Sequence, residues 1–210
     1  MKTEILSVIY EEPEWLETAR NMAATGLAVR LVDRDGVGSL AEAINRGVRD
    51  SVPGDVDFLW IVTNPVFPPT MPRRLAHALT ITGWAAIHPS FDSNHTSMRM
   101  QSAGFRETDF VEFTAPMVRA ELLLRYPLDE DMPYVGFDLD WSYRVRQAGW
   151  KLGVDDTQIL GHTYLKESNT PRHPATKIRK ERRMVALAGT HLKLESKYGK
   201  RWRYVLGSKV

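Results

Sequence analysis

The chain has 210 residues, with 28 Lys plus Arg, 26 Asp plus Glu, six His and no Cys, for a formal net charge of +2. That length supports one domain around one sizeable core, and 43% hydrophobic with 26% charged residues is a globular composition, not a disordered one. Without cysteine there can be no disulfide, thiolate metal site, iron–sulfur cluster or cysteine nucleophile.

Ile5–Tyr10 reads as a short buried strand, and the acids right after it exclude a signal peptide. A helix follows over 14–24, with Trp15, Leu16, Ala19 and Met22 inward and Gly26 where a helix C′ residue sits. Leu27–Val32 is a second strand, closed by the glycine-bearing turn Asp33–Gly38. Ser39 suits the N-cap of a helix that carries Leu40, Ala43, Ile44 and Val48 on one side. Val56–Val62 is a third strand. Prolines 68, 69 and 72 make 67–72 a loop, before a helix near 73–82 and a strand near 83–88. Residues 89–109 show no period and read as a loop able to cover a site. Phe110–Ala115 reads as a strand, Ala115–Leu124 as a helix, and Asp138–Gln147 as a helix closed by Gly149. Trp150–Val154 and Thr157–Leu160 are short extended pieces, and the tail from about 176 to 198 has helical spacing.

Strands alternating with helices predict a mostly parallel, helix-covered α/β sheet, whose ligands bind beyond the carboxyl ends of the strands. Those ends are Tyr10-Glu11, Asp33–Gly38 and Thr63–Phe67. No apolar run reaches the roughly 18–20 residues of a membrane span, so a soluble, cytoplasmic protein is expected.

Three segments carry a resemblance. GFDLDWSYRVRQAGWKLGVDDTQILGH (136–162) joins an acidic helix start to an Arg-x-x-x-Gly-Trp-like element and a strand ending in His. LVDRDGVGSLAEAINRG (31–47) has a strand-end aspartate, a Gly-Ser turn and a helical Asn-x-Gly. DFLWIVTNPVFPP (57–69) ends a strand in Asn-Pro. In this order the chain resembles inverting family 2 glycosyltransferases of the GT-A fold, from about Leu6 to Tyr164. The resemblance implies a domain over 1–165, a nucleotide-sugar donor (a UDP-sugar first) and transfer with inversion. It implies Asp138 as the catalytic base and Tyr10, Asp33, Asn45 and Asn64 as donor contacts. Asp33 at a strand end could equally bind its own turn, Asn45 could be an ordinary helix residue, and Asp140 competes with Asp138 as base. A Mn or Mg ion would rely on Asn64 and His162, because Thr63-Asn64-Pro65-Val66 lacks the family's usual aspartate and a divalent ion prefers charged oxygens. Arg144 or a loop Arg is the substitute cation for the diphosphate. Trp141 is expected in the core.

The net charge hides a split. Residues 166–210 hold 13 Lys/Arg and three Asp/Glu, a net of +10, and residues 1–165 a net of −8. Two basic clusters, Lys177, Arg179, Lys180, Arg182, Arg183 and Lys193, Lys197, Lys200, Arg201, Arg203, interleave with Trp202 and Tyr204, a pattern that suits phosphate contacts and base stacking. Compact phage-type GT-A enzymes that modify 5-hydroxymethylpyrimidines (5-hydroxymethylcytosine among them) in DNA resemble this chain, which implies DNA as the acceptor and a bacterial host's cytoplasm as the place. A saccharide or cell-surface glycan is the competing acceptor, since Lys-Tyr-Gly-x-x-Trp at 197–202 also resembles tail packing in saccharide-directed relatives. A tail helix paired with the body's own acids, and a non-catalytic protein that binds nucleic acid or nucleotide-sugar, are the other readings.

Overall fold

The computed structural model describes residues 1–9, 13–33, 39–51, 55–63, 67–92, 98–132, 136–161 and 187–206, with no side-chain placement at 9, 13–17 and 33. Its strands are β1 (Thr3–Ile9), β2 (Ala28–Asp33), β3 (Phe58–Val62), β4 (Ala86–Phe91), β5 (Phe105–Thr108), β6 (Met117–Arg119) and β7 (Leu152–Leu160). Its helices are α1 (Pro13–Ala24), α2 (Leu40–Ser51), α3 (Met71–Thr82), α4 (Ala120–Arg125) and α5 (Phe137–Gln147). Residues 187–198 are helical, and Trp202–Val205 add a last short helix.

The strands form one sheet in the order β2-β1-β3-β6-β4-β7-β5. β1 pairs in parallel with β2 and β3, and β4 with β7, whereas β6 runs antiparallel between β3 and β4 and β5 antiparallel to β7. The directions of β1, β2, β3, β4 and β7 therefore agree, and the sheet is mostly parallel. Every residue of β3 and β4 is buried, as expected of strands covered on both faces. One core joins Leu6, Val8 and Leu59 to Ile44 and Val48 of α2 and Trp141 and Val145 of α5. A second, on the opposite face, joins Ile5, Trp60 and Val62 to Met22 of α1 and Leu75 and Leu79 of α3.

Local chemistry sets the boundaries. The Ser39 hydroxyl accepts the Glu42 amide at 3.0 Å, so Ser39 caps α2 as its sequence predicts. The loop expected over 67–72 ends at Thr70. α3 begins at Met71 with Pro72 in its first turn, where a missing N–H costs nothing. Gly83, read as strand, is the left-handed C-cap of α3 (φ 67°), which delays β4 to Ala86.

The apolar run 110–115 is not a strand. It is apolar because Phe110, Val111, Phe113 and Ala115 are core residues in a turning segment, and the strand follows at 117–119. That strand takes the first part of the predicted helix, leaving α4 only Ala120–Arg125. The stretch 89–109 is largely ordered where described. Its first residues complete β4, and 105–108 form the edge strand β5. The two extended pieces after Trp150 are one strand, β7, whose register against β4 slips between Asp155 and Ile159.

Gly153 in β7 lies under the Trp84 indole. A Cβ there would fall 1.7 Å from Trp84 Cζ3 and 2.0 Å from Cε3. Gly153→Ala should therefore lower stability by about 1–3 kcal/mol through overpacking, read as a lower urea midpoint at unchanged slope. An unchanged midpoint would contradict this packing.

Candidate active site

The carboxyl ends of β1, β2 and β3 lie side by side. Asp33 is in register with Ile9, and Val62 with Ser7. Asp33 and Thr63 thus end strands that flank β1, about 10 Å apart at two inter-strand spacings. This places the backbone of Asp33 at the predicted edge. Thr63 is occupied locally, its amide and hydroxyl both donating to Thr114 O at 3.1 and 3.2 Å. Asp57, at the other end of β3, accepts the Lys2 amide at 2.7 Å and lies away from that edge.

Asp138 lies in the first turn of α5, behind Gly136, a left-handed N-cap at φ 91°. Its Oδ1 accepts the amides of Gly136 at 3.1 Å and Leu139 at 2.9 Å. Both of these amides hold Oδ1, not Oδ2. Burial pushes the Asp138 carboxyl above the usual aspartate range, and the backbone amides of Leu139, Gly136 and Asp138 only partly offset it. The arrangement holds one carboxylate oxygen fixed, leaves the other for a proton, and raises its basicity. That is the chemistry of a general base.

Asp140, the competitor, is fully buried and committed within the protein. Its Oδ2 accepts Arg144 Nε at 2.8 Å, and its Oδ1 accepts the Tyr198 hydroxyl and Lys197 Nζ, each at 2.5 Å. Arg144 also donates to Pro127 O at 2.6 Å, so it is a brace for α5 and not a cation aimed at a diphosphate. Trp141 is in the core, edge-on to Phe113 with centroids 5.3 Å apart.

Asn45 is buried and bonded to the protein's own chain. Its Nδ2 donates to Leu128 O at 2.9 Å and Glu130 Oε1 at 2.8 Å, and its Oδ1 accepts the Leu128 amide at 2.9 Å. Both amide protons are used, so Asn45 clamps the chain at Leu128 and Glu130 and is not free to donate to a ligand.

Tyr10, Asn64, His162 and the first basic cluster (Lys177, Arg179, Lys180, Arg182, Arg183) lie outside the described residues. No group of three His, Asp or Glu among the described residues could hold a metal ion. The described residues alone do not supply a Mn or Mg site.

The second basic cluster divides. Lys193 pairs with Asp129 at 3.2 Å and Asp131 at 2.5 Å, and Lys197 with Asp129 at 3.3 Å and Asp140 at 2.5 Å. Burial opposes ionisation of Asp129, but the two lysines outweigh it and hold the carboxyl below its usual range. Lys200, Arg201 and Arg203 are exposed with no ion pair among the described residues, and Tyr204 is 88% exposed beside them. Trp202 and Leu206 enter the core of the body.

Sequence reasoning missed Asp156. This buried carboxylate in the β7 bulge accepts the Ser90 hydroxyl, the Gln101 and Ser102 amides, the Ser102 hydroxyl and Arg106 Nε. Burial opposes its charge, yet these donors hold its pKa below the usual range. It pins the 99–106 segment over the end of β4. Nothing in the spacing of a lone Asp-Asp pair signals that role.

No protein-family model matches the sequence, and comparison with curated proteins finds no relative. The fold has solved counterparts. GalNAc-T7, crystallised with UDP, GalNAc and Mn2+, superposes with a TM-score of 0.58 at 10% identity, over 77% of this chain and 44% of that one. S. aureus TarS 1-349 gives 0.56 at 12% identity, over 77% and 60%. The chain has the GT-A fold. A197 from STIV also superposes, with a TM-score of 0.54 at 8% identity over 76% of this chain and 84% of that one. The chain thus spans less than two thirds of the GalNAc-T7 and TarS chains. No helix among the described residues is long and apolar enough to cross a membrane.

Because the folded protein binds the Asp138 proton more tightly than the unfolded chain does, ionising Asp138 at neutral pH costs stability. That cost is absent below the unfolded carboxylate pKa and grows as pH rises through the raised folded value. Asp138→Asn, which keeps an acceptor oxygen for Gly136 and Leu139, should raise Tm at pH 7, with the gain vanishing as pH falls below about 4. Equal Tm values at pH 7 would contradict this.

Proposed function

We infer that the chain is an inverting glycosyltransferase that moves a sugar from a nucleotide-sugar, a UDP-sugar first, to an acceptor hydroxyl. The observation that carries this is Asp138, a desolvated carboxylate anchored through one oxygen at the head of a helix in a GT-A fold. Solved proteins of the same fold support the donor: TarS 1-349 is known in complex with UDP-GlcNAc, and GalNAc-T7 with UDP and GalNAc. In this reading the acceptor oxygen bonds to the anomeric carbon as the bond to the nucleotide diphosphate breaks. Its proton passes to Asp138 Oδ2, and the diphosphate leaves with the electron pair. Asp33, at the end of β2, meets the nucleoside, with Tyr10 and Asn64 as the remaining donor contacts, and Asn45 holds the wall of the crevice.

The acceptor proposed first is a hydroxymethylated pyrimidine in DNA. It draws on the exposed group Lys200, Arg201, Arg203 and Tyr204, which combines phosphate-neutralising charge with a stacking ring. A duplex base would have to be flipped out to reach Asp138. A saccharide acceptor is favoured by a different observation: Lys193, Lys197, Tyr198 and Trp202 are spent on the body and contribute nothing to a nucleic-acid surface.

The deciding experiment incubates the protein with mixed UDP-sugars and either hydroxymethylcytosine-containing DNA or a glycan panel, and reads products by mass spectrometry. One hexose-type mass increment on the DNA is expected, abolished in Asp138→Asn with UDP binding kept. Transfer to glycans alone would move the acceptor to the second reading. Turnover by Asp138→Asn would remove Asp138 as base, and no transfer to either would leave a non-catalytic binding protein. If DNA is the acceptor, log affinity should fall linearly with log salt, and reversing the charges of Lys200, Arg201 and Arg203 should flatten that slope.

A further inference from the structure

The helix at 187–198 crosses the junction that carries Asp138. Lys197 Nζ reaches Asp129 Oδ2 at 3.3 Å on the chain entering that junction and Asp140 Oδ1 at 2.5 Å on the helix leaving it. One ammonium therefore closes a loop around the segment that contains the base. The neighbouring Tyr198 hydroxyl donates to the same Asp140 oxygen at 2.5 Å, and burial together with that hydrogen bond pushes its pKa far up, so it stays a donor. Lys193 adds Asp129 and Asp131.

The apolar side of the helix completes the seal. Thr190 lies over Gly136, where a Cβ would come within 2.4 Å of Thr190 Cγ2, and Leu194 and Met132 close the same point. Gly136 supplies one of the two amides that fix Asp138 Oδ1. Its lack of a side chain allows both the left-handed cap and the close approach of the tail. From the other side Asn45 grips Leu128 and Glu130, and Arg49 lies 3.8 Å from Glu130. Residues 128–131 thus contact both α2 and the tail helix.

We propose that Lys197 and Tyr198 are positioning residues for Asp138, acting through Asp140 and Asp129, so that the docked tail helix is part of the transfer apparatus and not only an acceptor surface. In this role neither residue needs to touch donor or acceptor. Their effect is to fix the first turn of α5, and with it the direction of Asp138 Oδ2. A displacement of about 1 Å at a reacting group costs on the order of 100-fold in rate. The proposal rests on Asp138 being the base, and its test has a readout independent of transfer.

The variants are Tyr198→Phe, Lys197→Met and the conservative Lys197→Arg, each in the full chain. The tail's grip is read by amide hydrogen exchange at Gly136 and Leu139, which should speed up at least tenfold in Lys197→Met and return most of the way in Lys197→Arg. Turnover should follow, with kcat reduced about 10–100-fold in Lys197→Met, less in Tyr198→Phe, and UDP affinity within twofold of the parent. Unchanged exchange at both amides would overturn the proposal whatever the protein's activity. So would faster exchange with kcat unchanged, or kcat and UDP affinity falling together without rescue by Lys197→Arg. If exchange responds as expected but Asp138→Asn still turns over, the base assignment fails and the clamp stands.

Discussion

The buried side chain of Asp140 is the constraint on which the Asp138 half of the molecule depends. A charge with no solvent access is tolerable only when paired and hydrogen-bonded, and removing one partner of such a group costs about 3–5 kcal/mol. Asp140 has three partners, one from its own helix and two from a chain segment 57 and 58 residues away. Satisfying it therefore docks the tail, orders the turn at Asp129–Asp131 and fixes the pitch of α5 at its first residues. Trp202 and Leu206 add apolar burial to the same docking, at about 1.5–3 kcal/mol each.

Two aspartates two residues apart on one helix are thereby given opposite employment. Asp140 is committed to Arg144, Lys197 and Tyr198. Asp138 is desolvated with only backbone amides for compensation, which costs stability and makes it a stronger base. The sheet contributes by bringing the ends of β1, β2 and β3 to one edge. Asn45 and the tail helix both hold the chain at Leu128–Asp131. The acid–base split along the sequence, −8 against +10, is in part this internal contact. Lys193 and Lys197 belong to the body electrostatically, while Lys200, Arg201 and Arg203 face outward.

The parallel half of the fold was legible because its strands are apolar, β3 and β4 being buried throughout, and are bounded by strong local signals, Gly26, Ser39 and Gly149 among them. What escaped was structure that its own residues do not announce. β5 is an edge strand of alternating exposure whose Arg106 and Glu107 look like loop residues until Asp156 and Lys151 are seen across from them. β6 was misplaced because 110–115 is apolar through core packing, not through pairing. Within the candidate site, the first-turn position of Asp138 on a helix was legible in the sequence, and its anchoring amides follow from that position. The Asp140–Lys197–Tyr198 contact was not, since no periodicity links residues so far apart. Asn45 was expected as a donor contact or an ordinary helix residue, and its bonds to Leu128 and Glu130 needed the fold.

In the proposed reading one carboxylate serves one displacement, which would invert the anomeric carbon. The most direct test of the account is the anomeric configuration of the first product formed from an α-linked UDP-sugar, followed by NMR during transfer. A β-linked product formed directly agrees with Asp138 as the single base. An α-linked first product would contradict it.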